Sequence, residues 1–142
     1  MESKIFRTGL LLGAVSNKLK RKFASLKIGD ELSSAQGKIL HFIVTPREKE
    51  ICQKDIEETF GLRAPSATEI LKQLEEKNLI ERLPSKEDSR KKIIIPQKSA
   101  LSYRSQVESD LINLEKQVTN GITSEELKAF HSTLEKIIEN LS

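Results

Sequence analysis

The sequence predicts a mainly helical α+β fold, and three observations predict it. Apolar residues recur at helical spacing over long stretches, two short β-prone runs flank a polar tip, and capping boxes mark where helices begin. The 142 residues are enough for one hydrophobic core and short for two ordinary domains. Hydrophobic residues make up 37% and charged residues 32%, the balance of a folded helical chain rather than a disordered one.

The first helix is expected from Ile5, Leu12, Val15, Leu19 and Phe23, which share one face, with Lys18, Lys20, Arg21 and Lys22 beside it. Gly29-Asp30 breaks that pattern. Ser33, with Gln36 three residues on, is a capping box that opens a second helix burying Ile39, Leu40 and Ile43, and Pro46 ends it. A short helix follows from about Cys52 to Thr59, with Ile56 and Phe60 inward and Gly61 as the turn residue. The fourth helix begins near Ala64-Pro65, where proline fits a first turn, and runs to about Lys77. Ala67, Ile70, Leu71 and Leu74 form its buried stripe, leaving Ser66, Glu69, Lys72 and Gln73 on the polar face. Asn78 is a candidate left-handed stop.

Ile80 to Leu83 and Lys92 to Ile95 read as a two-stranded hairpin around the tip Pro84 to Lys91. After Pro96 the helical period returns: Tyr103, Val107, Leu111, Leu114 and Val118 lie close to a heptad seam, and Asn120-Gly121 stops it. Thr123 and Glu126 form a second capping box, and Leu127, Phe130, Leu134, Ile137 and Leu141 line the last helix. A short helix, a glycine turn, a second helix with a polar outer face and then a hairpin make a winged helix-turn-helix.

Charge is uneven along this order. Residues 1–100 hold 20 Lys and Arg against 14 Asp and Glu, whereas residues 101–142 hold 4 against 7. The stretch from Arg82 to Lys92 alone carries five basic and two acidic residues. A basic hairpin directly after the outward-facing helix fits double-stranded DNA, whose major groove admits one α-helix and whose backbone attracts cations. No run of about 18 apolar residues is present, so no membrane span is expected. Leu10-Leu11-Leu12 is not followed by a signal-peptidase-like site, and the single cysteine, Cys52, cannot form an internal disulfide, so a cytoplasmic location is expected. No Gly-rich phosphate loop and no Ser/His/Asp or Cys/His grouping appears, and His41 and His131 stand isolated. No enzyme, cofactor or metal is therefore expected.

Several runs resemble the multiple-antibiotic-resistance regulator (MarR) family. They are Gln53-Lys54-Asp55-Ile56, Gly61-Leu62, Ser66-Ala67-Thr68, the run from Leu74 to Arg82, and Asp88-Ser89-Arg90 in the hairpin tip. Leu32-Ser33-Ser34-Ala35-Gln36 resembles that family's entry to its second helix, so the likeness spans about Leu32 to Ala100. The resemblance implies a homodimer with intertwined terminal helices on a pseudo-palindromic operator, usually as a repressor, with a small effector tuning affinity. The whole chain, 1–142, then reads as one domain: 31–96 the DNA-binding lobe, 1–30 and 97–142 the dimerisation helices.

The expected DNA contacts are Arg63, Ser66, Thr68, Glu69, Lys72 and Gln73 on the fourth helix and Lys86, Arg90 and Lys91 on the wing, with Asp88 structural. Gln73 and Ser66 should face most squarely away from the core, and a glutamine can bond adenine N6 and N7 together. Glu69 could accept from a cytosine N4 amine or only lower non-specific affinity. Arg90 could enter the minor groove, be clamped by Asp88, or both. Two alternatives stay open: an interaction module without DNA binding, which Glu69 and the net charge of +3 allow, and a redox-responsive regulator acting through Cys52 at a helix N-terminus near Lys54. The plainer reading of Cys52 is a half-buried weak cap. No residue is singled out for an effector.

Overall fold

A computed structural model describes residues 5–25 and 32–142, and the chain divides into two compact units, Met1–Glu108 and Ser109–Ser142. The expected break at Gly29-Asp30 lies outside the described residues. The elements run α1 (Arg7–Ser25), α2 (Ser34–Val44), β1 (Ile51–Cys52), α3 (Gln53–Phe60), α4 (Ala64–Glu76), β2 (Ile80–Pro84), β3 (Lys92–Pro96), a 3-10 helix (Lys98–Tyr103), α5 (Arg104–Val118) and α6 (Ser124–Asn140).

Local chemistry sets these boundaries. Ser33 Oγ accepts from the Gln36 backbone N–H while Gln36 Oε1 accepts from the Ser33 N–H, which satisfies two N-terminal donors of α2. Gly61 ends α3 at φ 63°, in the left-handed region that glycine enters without a Cβ clash. Asn78 ends α4 at φ 59°, and the Leu79 N–H then returns to the Leu74 carbonyl at 3.0 Å. That return bond tucks Leu79 and Ile80 into the interior, where each is under 5% exposed. The polypeptide therefore turns straight from α4 into β2.

The strands form one antiparallel sheet in the order β1-β3-β2. The hairpin was expected and the third strand was not. Ile51-Cys52 is too short to show alternation in sequence, yet it pairs Ile51 with Ile94 and covers the free edge of β3. The way into α5 also differs from expectation, because a 3-10 helix intervenes between Pro96 and Arg104.

Within the first unit, α2, α3, α4 and the sheet enclose the core. Ile39, Leu40, Ile56, Ala67, Leu71 and Leu74 are all 1% exposed or less. Phe60 of α3 meets Phe42 of α2 edge to face, with ring centres 5.6 Å apart, and the Arg47 guanidinium covers the Phe42 ring at 3.7 Å. Lys38 of α2 lies 4.4 Å over the Phe23 ring of α1. Partial burial, with the Lys20 charge second, holds that ammonium below the usual lysine range.

The terminal helices are more open than their periodicity implied. On α1, Phe23 is buried but Val15 is 49% exposed, and Ile5, expected on this helix, precedes it and is 97% exposed. On α6, which opens with the Thr123–Glu126 capping box, Leu127, Leu134 and Ile137 are half-buried, whereas Phe130 and Leu141 are 51% and 82% exposed. The expected apolar lining of α6 therefore exists as a stripe, which the described residues cover only in part.

Leu71 is fully buried at the centre of the α4 stripe. Replacing it with alanine opens a cavity beneath the helix, and should cost about 2–5 kcal/mol in denaturant-induced unfolding.

Candidate functional site

The first unit carries the helix-turn-helix. Gln53 at the start of α3 donates from Nε2 to the Ala64 carbonyl at 3.3 Å and to Thr68 Oγ1 at 2.9 Å, pinning the first turns of α4 to α3. With Ala67, Leu71 and Leu74 fully buried, the opposite side of α4 must face out, and Arg63, Ser66, Thr68, Glu69 and Lys72 are all exposed. Arg63 is the N-cap residue of α4 and makes no capping bond with its side chain.

Gln73 departs from expectation. It is half-buried rather than turned squarely outward: its Oε1 accepts from Gln36 Nε2 at 2.7 Å, and its Nε2 donates to Glu69 Oε1 at 3.3 Å. The cause is its register, since a residue two positions after Leu71 and one before Leu74 lies at the border of the buried stripe. Gln36, visible in the sequence only as a capping residue, reaches across to meet it and is itself 7% exposed.

The wing is anchored at both ends. Arg82 of β2 bonds Glu75 of α4 through Nε and Nη2, each 2.8 Å from Oε1, so the hairpin is bolted to the helix before it. At its base Ser85 is 7% exposed. Its backbone N–H donates to the Lys91 carbonyl at 2.8 Å, its hydroxyl donates to Glu50 Oε2 at 2.9 Å, and its Oγ accepts from the Glu87 and Asp88 N–H groups. At the tip, Asp88 Oδ1 accepts from both the backbone N–H and Nε of Arg90, at 3.1 and 3.3 Å. The Arg90 side chain is nevertheless 90% exposed, so the aspartate clamp orients the guanidinium without covering it. Lys86 and Lys91 are exposed beside it. Ser85 and Glu50 were not picked out in the sequence; a serine following the strand-ending Pro84 was the available signal for a side-chain-closed turn.

Cys52 is half-buried at the N-cap position of α3. Its backbone N–H donates to Asp55 Oδ2 at 2.9 Å, and its thiol lies 3.3 Å from the same oxygen. Cys52 and Asp55 border a cavity of about 500 Å³ beneath the wing, lined also by Glu48, Glu50, Lys49 and Lys91. His41 is half-buried on α2 and His131 exposed on α6. Among the described residues, no group of three or more His, Cys, Asp or Glu is placed to hold a metal ion. None of the described helices is long and apolar enough to cross a membrane.

The arrangement can be set beside known proteins. A sequence model of the MarR family matches residues 32–92, the stretch from the α2 capping box to the start of β3. Over that stretch the chain is similar to the MarR family. Its likeness to solved members runs far beyond the matched stretch. The transcription regulator MarR from Oenococcus oeni is 29% identical, with a TM-score of 0.83 over 93% of this chain and 98% of that one. MepR of S. aureus, solved in complex with DNA, is 22% identical with a TM-score of 0.84 over 99% of this chain and all of its own, that is 100%. CouR from Rhodococcus jostii, solved with p-coumaroyl-CoA bound, is 17% identical with a TM-score of 0.82, covering 97% of this chain and 96% of that one. A comparison with curated proteins gives no match. The fold is thus the MarR winged helix, with terminal helices in kind as well as a central lobe.

Ser85 closes the wing base from inside, so Ser85→Ala should strip the Glu87 and Asp88 amides of their shared acceptor and leave Glu50 unmatched. We expect a loss of about 1–3 kcal/mol in stability and faster hydrogen exchange at those two amides. Unchanged exchange there would mean that the hydroxyl does not hold the turn.

Proposed function

We propose that this chain is a DNA-binding transcriptional regulator of the MarR family that acts as a homodimer on a pseudo-palindromic operator. The observation that carries this reading is the pairing, within one unit, of an exposed polar helix face with an exposed cationic wing. Ser66, Thr68, Glu69 and Lys72 on α4 and Lys86, Arg90 and Lys91 on the wing are all open to solvent, and the Arg82–Glu75 bond fixes helix to wing. In this assignment α4 enters the major groove, with Arg63, Ser66 and Gln73 toward the bases, and Thr68 and Lys72 toward phosphates. The wing follows the backbone, with Arg90 placed to reach the minor groove.

Dimerisation is supported by apolar side chains that this chain does not cover. At α1 these are Phe6, just before the helix, with Leu10, Leu11 and Val15, and at α6 they are Phe130, Ile138 and the C-cap residue Leu141. A soluble monomer would seldom leave so many in the open, and a second copy would supply the missing cover. Regulation is proposed to be repression: the dimer occupies its operator, and a small effector that favours a different spacing of the two DNA-binding lobes releases it. The CouR complex, with p-coumaroyl-CoA bound, is a relative of the same fold in which a small molecule is held.

Two measurements test this reading. Binding to duplex DNA should weaken steeply with salt. Neutralising Lys86 or Lys91 should lower the slope of log affinity against log salt by about 0.9 for each phosphate that is no longer paired. Binding indifferent to salt would favour a protein-interaction module instead. The chain should also sediment as a dimer, and Phe130→Asp, on the exposed α6 face, should shift it toward monomer. A variant that stays fully dimeric would place the interface elsewhere.

A further inference from the structure

Five asparagines stand in the chain, and each is followed by a residue whose backbone nitrogen lies next to its side-chain amide. Four of those nitrogens are engaged. Those of Lys18 and Leu114 lie inside α1 and α5, where each N–H is spent on the helix ladder. The Leu141 N–H, after Asn140, donates to the Ile137 carbonyl at 3.1 Å. After Asn78, at the left-handed end of α4, the Leu79 N–H donates to the Leu74 carbonyl, and the leucine itself is 4% exposed. The fifth, Gly121, differs on both counts. It follows Asn120 in the exposed turn between α5 and α6, and among the described residues its N–H has no acceptor. It carries no side chain, and nothing lies within 4 Å of the place where a Cβ would stand. The Asn120 carboxamide likewise has no hydrogen-bond partner among the described residues, so it is free to turn toward that nitrogen.

We propose that Asn120 is a modification site, at which the folded chain converts asparagine to a mixture of aspartate and isoaspartate without an enzyme. Hydroxide removes the proton of the Gly121 amide, and the nitrogen adds to Cγ of Asn120. The bond from Cγ to the side-chain nitrogen then breaks, and that nitrogen takes up a proton and leaves as ammonia. Water opens the five-membered imide that remains. Attack at Cγ restores the original main chain and leaves aspartate. Attack at the main-chain carbonyl reroutes the backbone through Cγ and leaves isoaspartate. No oxidant or reductant is involved. A hydrogen bond to the attacking N–H, or a side chain on its residue, hinders the first two steps, and Gly121 has neither. Either product sets a carboxylate just ahead of the Thr123 N-cap, where the positive end of the α6 dipole favours it. Isoaspartate also adds a methylene to the main chain inside the turn that the Ile122 N–H closes on the Thr119 carbonyl at 3.0 Å, and so breaks that bond.

The test is peptide mapping by mass spectrometry of the full-length chain, held at one temperature in buffers from neutral to mildly alkaline pH, with a parallel sample in denaturant. Acid should accumulate at Asn120 as two isomers, in proportion to hydroxide, and at a rate within a few-fold of that in the denatured chain. Asn17, Asn78, Asn113 and Asn140 should remain amides over the same interval. Hydrogen exchange at the Ile122 amide should quicken in the isoaspartate fraction and stay as in the native chain in Asn120→Asp, which supplies the other product alone. Acid forming many times more slowly in the folded chain than in denaturant would mean that the turn is covered or its N–H held, and would overturn the proposal. So would an Asn120 amide lost no faster than that of Asn78. A rate indifferent to pH would overturn the route through the Gly121 nitrogen.

Discussion

Burial of one stripe of α4 is the constraint on which the rest of the first unit depends. Ala67, Leu71 and Leu74 have no measurable exposure, and together they hold the helix against α2 and the sheet along a single line. A helix fixed along one line has no freedom to rotate, so the identity of every outward residue follows from the identity of the inward ones. Ala67 contributes by being small, since a larger side chain at that fully closed position would push α4 off its neighbours. Everything attached to α4 inherits this placement, including the turn at Asn78 and the strand that leaves it.

Polar contacts then refine what apolar packing has placed. Gln53 fixes the first turn of α4, Gln36 meets its third, and Arg82 ties its last to the wing. Each of these bonds joins α4 to a different element, so the helix is restrained at several heights along its axis. Among the described residues, no buried side-chain nitrogen or oxygen is left without a partner, and the polar interior is therefore consistent with a rigid lobe. The terminal helices follow another logic. Their apolar stripes are as regular as that of α4, but Phe130 and Leu141 on α6 remain open in the single chain.

Legibility in the sequence tracked the range of the interaction. Capping boxes at Ser33 and Thr123, the left-handed turns at Gly61 and Asn78 and the α4 stripe all depend on residues within one or two turns of each other, and all could be read directly. Strand β1 could not, because two residues have no period, and its existence depends on β3 some forty positions later. The Ser85–Glu50 bond was hidden for the same reason. Gln73 shows where periodicity loses resolution: helical spacing assigns a border residue to the polar face, whereas a partner on α2 decides where its amide points. On the wing, Asp88 and Arg90 stand two residues apart, and their clamp was accordingly among the options foreseen.

The clamp at the wing tip separates two electrostatic tasks. Arg90 and Asp88 carry opposite charges within one short turn, so at distances beyond the Debye length they nearly cancel, leaving Lys86, Lys91 and Lys92 to shape the far field of the hairpin. At contact range the cancellation fails, because the guanidinium is 90% exposed and already oriented while the carboxylate stands behind it. If the wing meets DNA as proposed, the lysines govern how fast the polyanion is drawn in, and the arginine how long it is retained. On that proposal, association and dissociation rates at this wing can be altered one at a time.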